Sequence, residues 1–161
     1  MAARLVATKE VVGTWRRWLM NYPPVFLWIC VIFFLASSSG SSAETSKIIG
    51  SLIKFFFPSA DEAFIAIVHA IVRKTAHLTE YAILASLAAR AFLTSSSAWL
   101  RKYWALWAIL LVAVAASLDE FNQSFNVQRT GSPMDTLLDI SGGLLALTLI
   151  WMIRKRKRPT N

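Results

Sequence analysis

Acidic and amide side chains gather between two apolar runs in the second half of the sequence. The runs Tyr103–Leu118 and Ile140–Ile153 contain no charged residue. Ionisable groups beside such runs are costly to keep at a membrane boundary unless they pair with each other or meet a ligand. The segment that joins the two runs is therefore the first candidate site in the chain. Its polar members are Asp119, Glu120, Gln123, Arg129, Asp135 and Asp139.

A second group of polar residues opens another apolar run, Thr75–Ala89. On a helix, Lys74, His77 and Tyr81 follow i, i+3, i+7 spacing, and Glu80 lies three residues after His77. One helical face would then combine a cation, an imidazole, a carboxylate and a phenol. If this run crosses the membrane, its polar end meets the first group on the same side, and the two groups form one outward-facing pocket.

These residue types permit two kinds of chemistry. His77 beside Asp119 or Glu120 would supply a general base and the group that orients it. Arg129 together with Lys74 could hold a phosphate, because guanidinium and ammonium groups form charge-assisted hydrogen bonds with it. The alternative is structural, since the same charges could simply pair between helices. The residues predicted to bind a ligand are Lys74, Glu80, Tyr81, Gln123, Arg129, Asp135 and Asp139.

The sequence contains no recognised metal-binding motif and no nucleophile motif, so we predict no metal ligands and no cofactor. A divalent cation remains the alternative, because one histidine among several carboxylates is a suitable ligand set. Oxygen-rich sites of this kind favour Mg²⁺, Ca²⁺ or Mn²⁺ over Zn²⁺.

The composition predicts a single membrane domain built from helices. Hydrophobic residues make up 56% of the 161 residues, and the apolar runs lack the alternation typical of membrane strands. A helix needs roughly 20 mostly apolar residues to cross a bilayer. We therefore predict an all-α integral membrane protein with four transmembrane helices. The predicted spans are Trp18–Ala43, Thr75–Ala89, Tyr103–Leu118 and Thr136–Ile153.

The segment Lys47–Val72 is too apolar for water, yet each of its two apolar stretches is too short to span. Pro58 and the acidic pair Asp61-Glu62 separate the stretches. We therefore predict a short interfacial or re-entrant pair of helices between helices one and two, with helix two beginning near Arg73. Pro23-Pro24 suits the start of helix one.

The distribution of charge predicts the topology. The net charge is +8, and with four spans twelve of the seventeen basic residues fall on one side. By the positive-inside rule this side is cytoplasmic and holds both termini. Residues 1–22 then form a basic lead-in, 23–153 the membrane domain, and 154–161 a basic tail. Nucleic-acid binding is disfavoured, because no aromatic residue is interleaved with the charges of the tail.

The ordered pattern of polar residues from Val72 to Leu147 resembles the VanZ-like family of small bacterial membrane proteins. The pattern is Lys74-x-x-His77-x-x-x-Tyr81, then Asp119-Glu120-x-x-Gln123, Arg129, Ser132, Asp135 and a glycine pair. The family is named for a protein that gives low-level resistance to teicoplanin, a lipid-bearing glycopeptide. Members often carry His before the Gln and Pro-Gly before the Arg, where this chain has Asn122 and Val127-Gln128.

The resemblance implies a multi-pass protein of the bacterial cytoplasmic membrane that acts in glycopeptide resistance or in the handling of envelope lipids and precursors. Its partner would be a membrane lipid, a lipid-linked envelope precursor or the lipoglycopeptide antibiotic itself. The protein would be either an enzyme or a non-catalytic binding protein. Transport is disfavoured, because four helices without inverted repeats make a poor transporter. The oligomeric state does not follow from the sequence.

Overall fold

The protein is a bundle of helices, as seen in a computed structural model. The structure describes the backbone of residues 2–36, 42–124 and 133–157, and the side chains of 15, 18–36, 47–124 and 133–157. All regular elements in these ranges are helical. They are α1 (Ala2–Ala36), α2 (Ser42–Phe56), α3 (Glu62–Leu93), α4 (Ala98–Lys102), α5 (Trp104–Ser124) and α6 (Pro133–Arg156).

Three of the helices are long and apolar enough to cross a membrane. These stretches are Trp18–Ala36 of α1, Trp104–Ser124 and Pro133–Arg156. Large apolar side chains point away from the bundle, with Phe26 69% and Leu145 57% exposed. An apolar outer surface of this kind is what lipid contact requires. The helical fold and its membrane character therefore agree with the expectation from sequence.

The second predicted span, Thr75–Ala89, lies inside α3. With 32 residues, α3 is about 48 Å long at 1.5 Å per residue, which exceeds a bilayer core. It nevertheless differs from α1, α5 and α6 in composition, because charged residues recur along it. Among the described helices, only those three are both long and apolar enough to count as candidate spans. A four-span topology therefore stays a prediction.

The segment before the second predicted span differs from the expected pair of short helices. Only α2 is a separate helix, and the second stretch is the first part of α3, which starts at Glu62 rather than near Arg73. Asp61 caps this start, because its side chain accepts a hydrogen bond from the backbone N–H of Phe64 at 2.8 Å. No helix breaker follows in the sequence, so the helix continues through Val72. An interfacial or re-entrant position for this segment stays a prediction.

The start of the first helix also differs from the prediction. Pro23 and Pro24 lie inside α1, which begins at Ala2. Proline removes one backbone hydrogen bond and typically kinks a helix, but it does not always end one. The proline pair therefore lies within α1 and does not mark its first turn.

Small side chains allow α3 to pack closely against α5 and α6. Tyr81 and Leu84 are the large buried residues on α3, and the remaining buried positions are mostly alanines. Small residues let helix backbones approach when water provides no drive for association. The buried alanines are Ala85, Ala88, Ala89, Ala91, Ala108, Ala115 and Ala116.

The connections give the bundle two distinct ends. The Tyr22 hydroxyl bonds Ser95 Oγ at 3.1 Å, and the Trp28 Nε1–H donates to the Glu80 carbonyl at 2.9 Å. Helix α1 therefore runs antiparallel to α3. Because α4 links the end of α3 to the start of α5, those two helices are antiparallel as well. The end of α5 and the start of α6 then meet the first half of α3. We call this the cluster end, after the buried polar side chains described below. The opposite end, with Arg101, Lys102 and Arg154–Lys157, is called the basic end.

Candidate functional site

A group of polar side chains is buried at the cluster end, where α3, α5 and α6 meet. His77, Asp119 and Asp139 each offer one nitrogen or oxygen atom, and these atoms lie within 4.8 Å of one another. Tyr81 and Gln123 contact the same group through hydrogen bonds. These five side chains are called the polar cluster below.

Helical spacing presents the members of the cluster in pairs. His77 and Tyr81 are four residues apart on α3, and Asp119 and Gln123 are four apart on α5, so each pair shares one face. Asp139 lies in the first half of α6. Each helix therefore turns polar side chains toward the same point, and the sequence spacing anticipated this arrangement.

Two glycines on α6 bring Asp139 close enough to join the cluster. A Cβ atom on Gly142 would overlap the backbone carbonyl of Leu78, the residue after His77. A Cβ atom on Gly143 would lie 2.9 Å from a methyl carbon of Val112 on α5. Only glycine permits both approaches, because real Cβ atoms essentially never come so near their neighbours. The glycine pair is thus a packing notch that draws α6 against both other helices.

Hydrogen bonds fix the carboxylate of Asp119 through one oxygen. Asp119 Oδ2 accepts from the Tyr81 hydroxyl at 3.2 Å and from Gln123 Nε2 at 3.0 Å. The second oxygen, Oδ1, is buried and has no hydrogen-bond partner. Two donors on one oxygen hold the plane of the carboxylate and leave the other oxygen available to the centre of the cluster.

His77 and Asp139 face each other across the cluster. Their Nδ1 and Oδ1 atoms are 3.5 Å apart, longer than a well-formed N–H···O bond. Both atoms are buried without a hydrogen-bond partner. The His77 side chain is 16% exposed and that of Asp139 only 2%. Of these two groups, the imidazole is therefore the one that can be reached from outside.

Cationic side chains lie one turn beyond His77 toward the start of α3. Arg73 is half-buried and Lys74 is exposed. Arg73 and Asp135 are close enough to Asp139 for their charges to influence its carboxylate, in opposite directions. The charge of Glu80 influences the His77 imidazole in the same way, through space. The sequence marked Arg73 only as the expected start of helix two, and its nearness to Asp139 follows from the packing of α3 on α6.

The remaining predicted residues occupy different positions. Glu120 follows Asp119 by one residue, so it points about 100° away around α5 and does not belong to the three-residue group. Glu80 and Asp135 are half-buried neighbours of the cluster. Arg129 lies outside the described residues. The cluster itself is buried between helices, so an open pocket and the predicted roles of these residues stay predictions.

The arrangement could bind a cation, or it could move a proton at the His77 imidazole. None of the five side chains is a serine, cysteine or threonine, the residues that most often act as nucleophiles. His77 with Asp119 and Asp139 provides one nitrogen and several carboxylate oxygens, which are ligand atoms for divalent metals.

Comparison with known proteins identifies the family. The family model described as VanZ/LLP1 matches residues 24–154, which include α3, α5 and most of α6. No curated protein and no solved structure matched the chain. The match contains every member of the polar cluster and the glycine notch, and it confirms the resemblance seen in the sequence. The chain therefore belongs to the VanZ/LLP1 family.

Proposed function

We propose that the protein binds the phosphate-bearing head group of an envelope lipid or lipid-linked precursor at the polar cluster. The observation that carries this proposal is a pair of cations, Arg73 and Lys74, one turn before His77 at the cluster end of the bundle, where two apolar helices end. Asp119 precedes the end of α5 by five residues and Asp139 follows the start of α6 by six. At 1.5 Å per residue both lie about 8 to 9 Å from the helix ends, near the boundary between acyl chains and head groups.

Two cations support a phosphate as the recognised group. Arg73 and Lys74 lie one turn before His77 on α3, and Arg73 is close enough for its charge to act on Asp139. A guanidinium presents paired donors that match phosphate oxygens, and an ammonium adds a point charge. Their position suits a head group at the mouth of the cluster and acyl chains along the apolar outer surface.

The proposed orientation places the cluster on the outer face of the bacterial cytoplasmic membrane. Basic residues concentrate at the opposite end, where both described termini lie, and the positive-inside rule puts that end in the cytoplasm. A reporter fused after Asn161 should behave as cytoplasmic, whereas one inserted between Ser39 and Ser46 should behave as external. An external C-terminus would contradict this orientation.

Binding is tested with the purified full chain and a defined lipid. Polyprenyl phosphate should bind the delipidated protein in native mass spectrometry, and uncharged polyprenol should not. The double variant Arg73→Gln/Lys74→Gln should weaken this binding at least tenfold. The double variant Arg101→Gln/Lys102→Gln, at the basic end, is the matched control and should bind normally. Equal binding of polyprenol would contradict recognition of the phosphate. If inorganic phosphate competes as well as polyprenyl phosphate binds, the polyprenyl chain does not contribute to the affinity.

Catalysis is a second candidate, favoured by the unpaired Nδ1 of His77 beside two carboxylates. Such an imidazole could activate water against a phosphate ester, which a pure binding protein would not do. Lipids and precursors from cells with and without the protein should then differ in mass spectra. The difference should disappear in His77→Gln and persist in His69→Gln, a histidine variant on the same helix. Identical lipid profiles would contradict catalysis and would be consistent with binding alone.

The same site gives a route to glycopeptide resistance. A protein that holds a lipid-linked precursor, or the lipid-bearing antibiotic, would reduce the amount of antibiotic bound at its target. Teicoplanin susceptibility of cells that express the protein is the readout for this part of the proposal.

A further inference from the structure

We propose that His77, Asp119 and Asp139 form a binding site for one divalent cation of the oxygen-preferring class, represented by Mn²⁺ and Mg²⁺. The site uses the same cluster as the proposed function. Only the ion's effect on lipid binding rests on that function; ion binding itself does not.

Unpaired buried atoms are the first reason for the proposal. His77 Nδ1, Asp119 Oδ1 and Asp139 Oδ1 are all buried without a hydrogen-bond partner. Both aspartates are 1% exposed. Buried polar atoms in folded proteins are almost always paired, and an unpaired charged group is especially costly. Three such atoms from three helices, at one point and with only the 3.5 Å ion pair between His77 and Asp139 among them, are what an absent positive partner would explain.

The distances are close to those of a site for a single small ion. The ligand atoms of the three residues lie within 4.8 Å of one another, and His77 Nδ1 is 3.5 Å from Asp139 Oδ1. Two ligands about 2.1 Å from one ion are about 3.0 Å apart at a right angle and about 3.4 Å apart at a tetrahedral angle. The 3.5 Å between His77 Nδ1 and Asp139 Oδ1 is too long for a good hydrogen bond and about 0.5 Å wider than the right-angle value, so the side chains would close by that amount around an octahedral Mn²⁺ or Mg²⁺.

The residues around the ligands hold them in orientation. Tyr81 and Gln123 both donate to Asp119 Oδ2, which leaves Oδ1 directed into the cluster. Metal sites typically fix their ligands through outer hydrogen bonds of this kind. The glycine notch fixes Asp139 relative to α3 in the same way, through the backbone.

The charge of the cluster favours a divalent ion over a simple ion pair. A protonated His77 would balance one carboxylate and would leave Asp119 Oδ1 without a partner. The charge of Arg73 acts on Asp139, and that of Asp135 acts on the same carboxylate with the opposite sign. A divalent ion would contact all three unpaired atoms together. With one nitrogen and two oxygen ligands, such a site favours Mn²⁺ or Mg²⁺.

An ion held by three protein ligands keeps open coordination positions. Mg²⁺ in particular binds through a few carboxylates and completes its shell with water or phosphate oxygens. In the proposed function, a lipid phosphate would fill these positions, so Mn²⁺ would strengthen lipid binding.

The test measures binding of the metal alone to the full chain in detergent, without added lipid. After removal of metal with a chelator, Mn²⁺ titration followed by electron paramagnetic resonance should give about one bound ion per chain, displaced by excess Mg²⁺. Asp119→Asn and Asp139→Asn should each lose this binding. Tyr81→Phe should weaken it by about 10- to 100-fold. Glu62→Gln and His69→Gln on the same helix α3 are the controls and should bind normally.

A second measurement does not depend on the folding of the variants. Mn²⁺ should raise the melting temperature of the unmodified protein, because an ion that binds only the folded state stabilises it. Absence of Mn²⁺ and Mg²⁺ binding, binding restricted to Zn²⁺, or binding unchanged in both aspartate variants would each overturn the proposal. Loss of lipid binding with normal Mn²⁺ binding would overturn only the proposed function.

Discussion

Charged residues at the two ends of the bundle differ in their surroundings: aspartates are buried at the cluster end, whereas cations are exposed at the basic end. At the cluster end, Asp119 and Asp139 are 1% exposed and each keeps one oxygen without a hydrogen-bond partner. At the basic end, Arg101 donates to the backbone carbonyls of Ser95 and Ser96. Other cations there lie over aromatic rings, with Lys155 Nζ 5.2 Å from the centre of the Trp151 ring.

Under the proposed function, the charges of the basic end orient the protein in the membrane and those of the cluster end form a site. The basic end needs only many exposed cations near the surface, because both solvent and anionic head groups can satisfy them. The cluster end buries a few groups at fixed distances, and that costs free energy unless a partner is present. Substitutions at the two ends should therefore differ in kind, and the following predictions are ordered from the largest effect to the smallest.

Gly142→Ala should have the largest effect, because it acts on the packing that assembles the cluster end. The added methyl group would overlap the backbone of Leu78, which cannot move as a side chain can. We expect a loss of about 3 kcal/mol or more in the free energy of unfolding, at the upper end for overpacked cores. Thermal unfolding in detergent measures it. Gly50→Ala is the control, since its Cβ would meet Ile65 at an ordinary 3.8 Å; equal loss in both variants would contradict the packing notch.

His77→Gln should abolish function while the protein remains at normal abundance in the membrane. Glutamine keeps hydrogen-bonding atoms but loses the imidazole that faces Asp139. Arg129→Lys should also reduce function if its fork binds a phosphate or carboxylate, because lysine supplies only a point charge. Teicoplanin susceptibility and membrane protein level are measured together. Function retained in both variants, or lost only with abundance, would make the cluster a structural feature.

Tyr81→Phe should lower the free energy of unfolding by an intermediate amount, because it changes only the hydrogen bonding of the Asp119 carboxylate. The change removes one donor from Oδ2 and leaves the bond from Gln123 at 3.0 Å. Removal of a hydrogen bond to a charged group typically costs about 1.5 kcal/mol. Tyr103→Phe, at the more exposed basic end, is the matched control and should be neutral in thermal unfolding. A larger loss in the control would remove the distinction between the two ends.

Lys155→Gln should have the smallest effect. Its ammonium group is exposed and interacts with the Trp151 ring near the surface, where water replaces the contact readily. Stability, membrane level and teicoplanin susceptibility should all remain close to those of the unmodified protein. Several such changes made together should instead disturb orientation, as reporter fusions would show. A strong effect of the single change would mean that the basic end also contains a site.

The sequence predicted the helical class, the apolar spans within α1, α5 and α6, and the polar residues that meet at the cluster end. Hydropathy and helical periodicity are local properties, so they can be read directly from spacing. Boundaries were less accurate: α3 starts at Glu62 and α1 runs through Pro23-Pro24. A proline or an acidic pair disfavours helix continuation without forbidding it, and packing of the neighbouring turns determines the outcome.

The sequence by itself determined which residues could meet: three helices with His77, Asp119 and Asp139 on polar faces near one end. Only the tertiary structure decided which atoms meet, so that Asp139 faces His77 at 3.5 Å. Helical periodicity fixes the direction of a side chain around its own axis but not the rotation and height of one helix against another. Those are set by close contacts between helices, above all where Gly142 lets α6 rest on the backbone of α3.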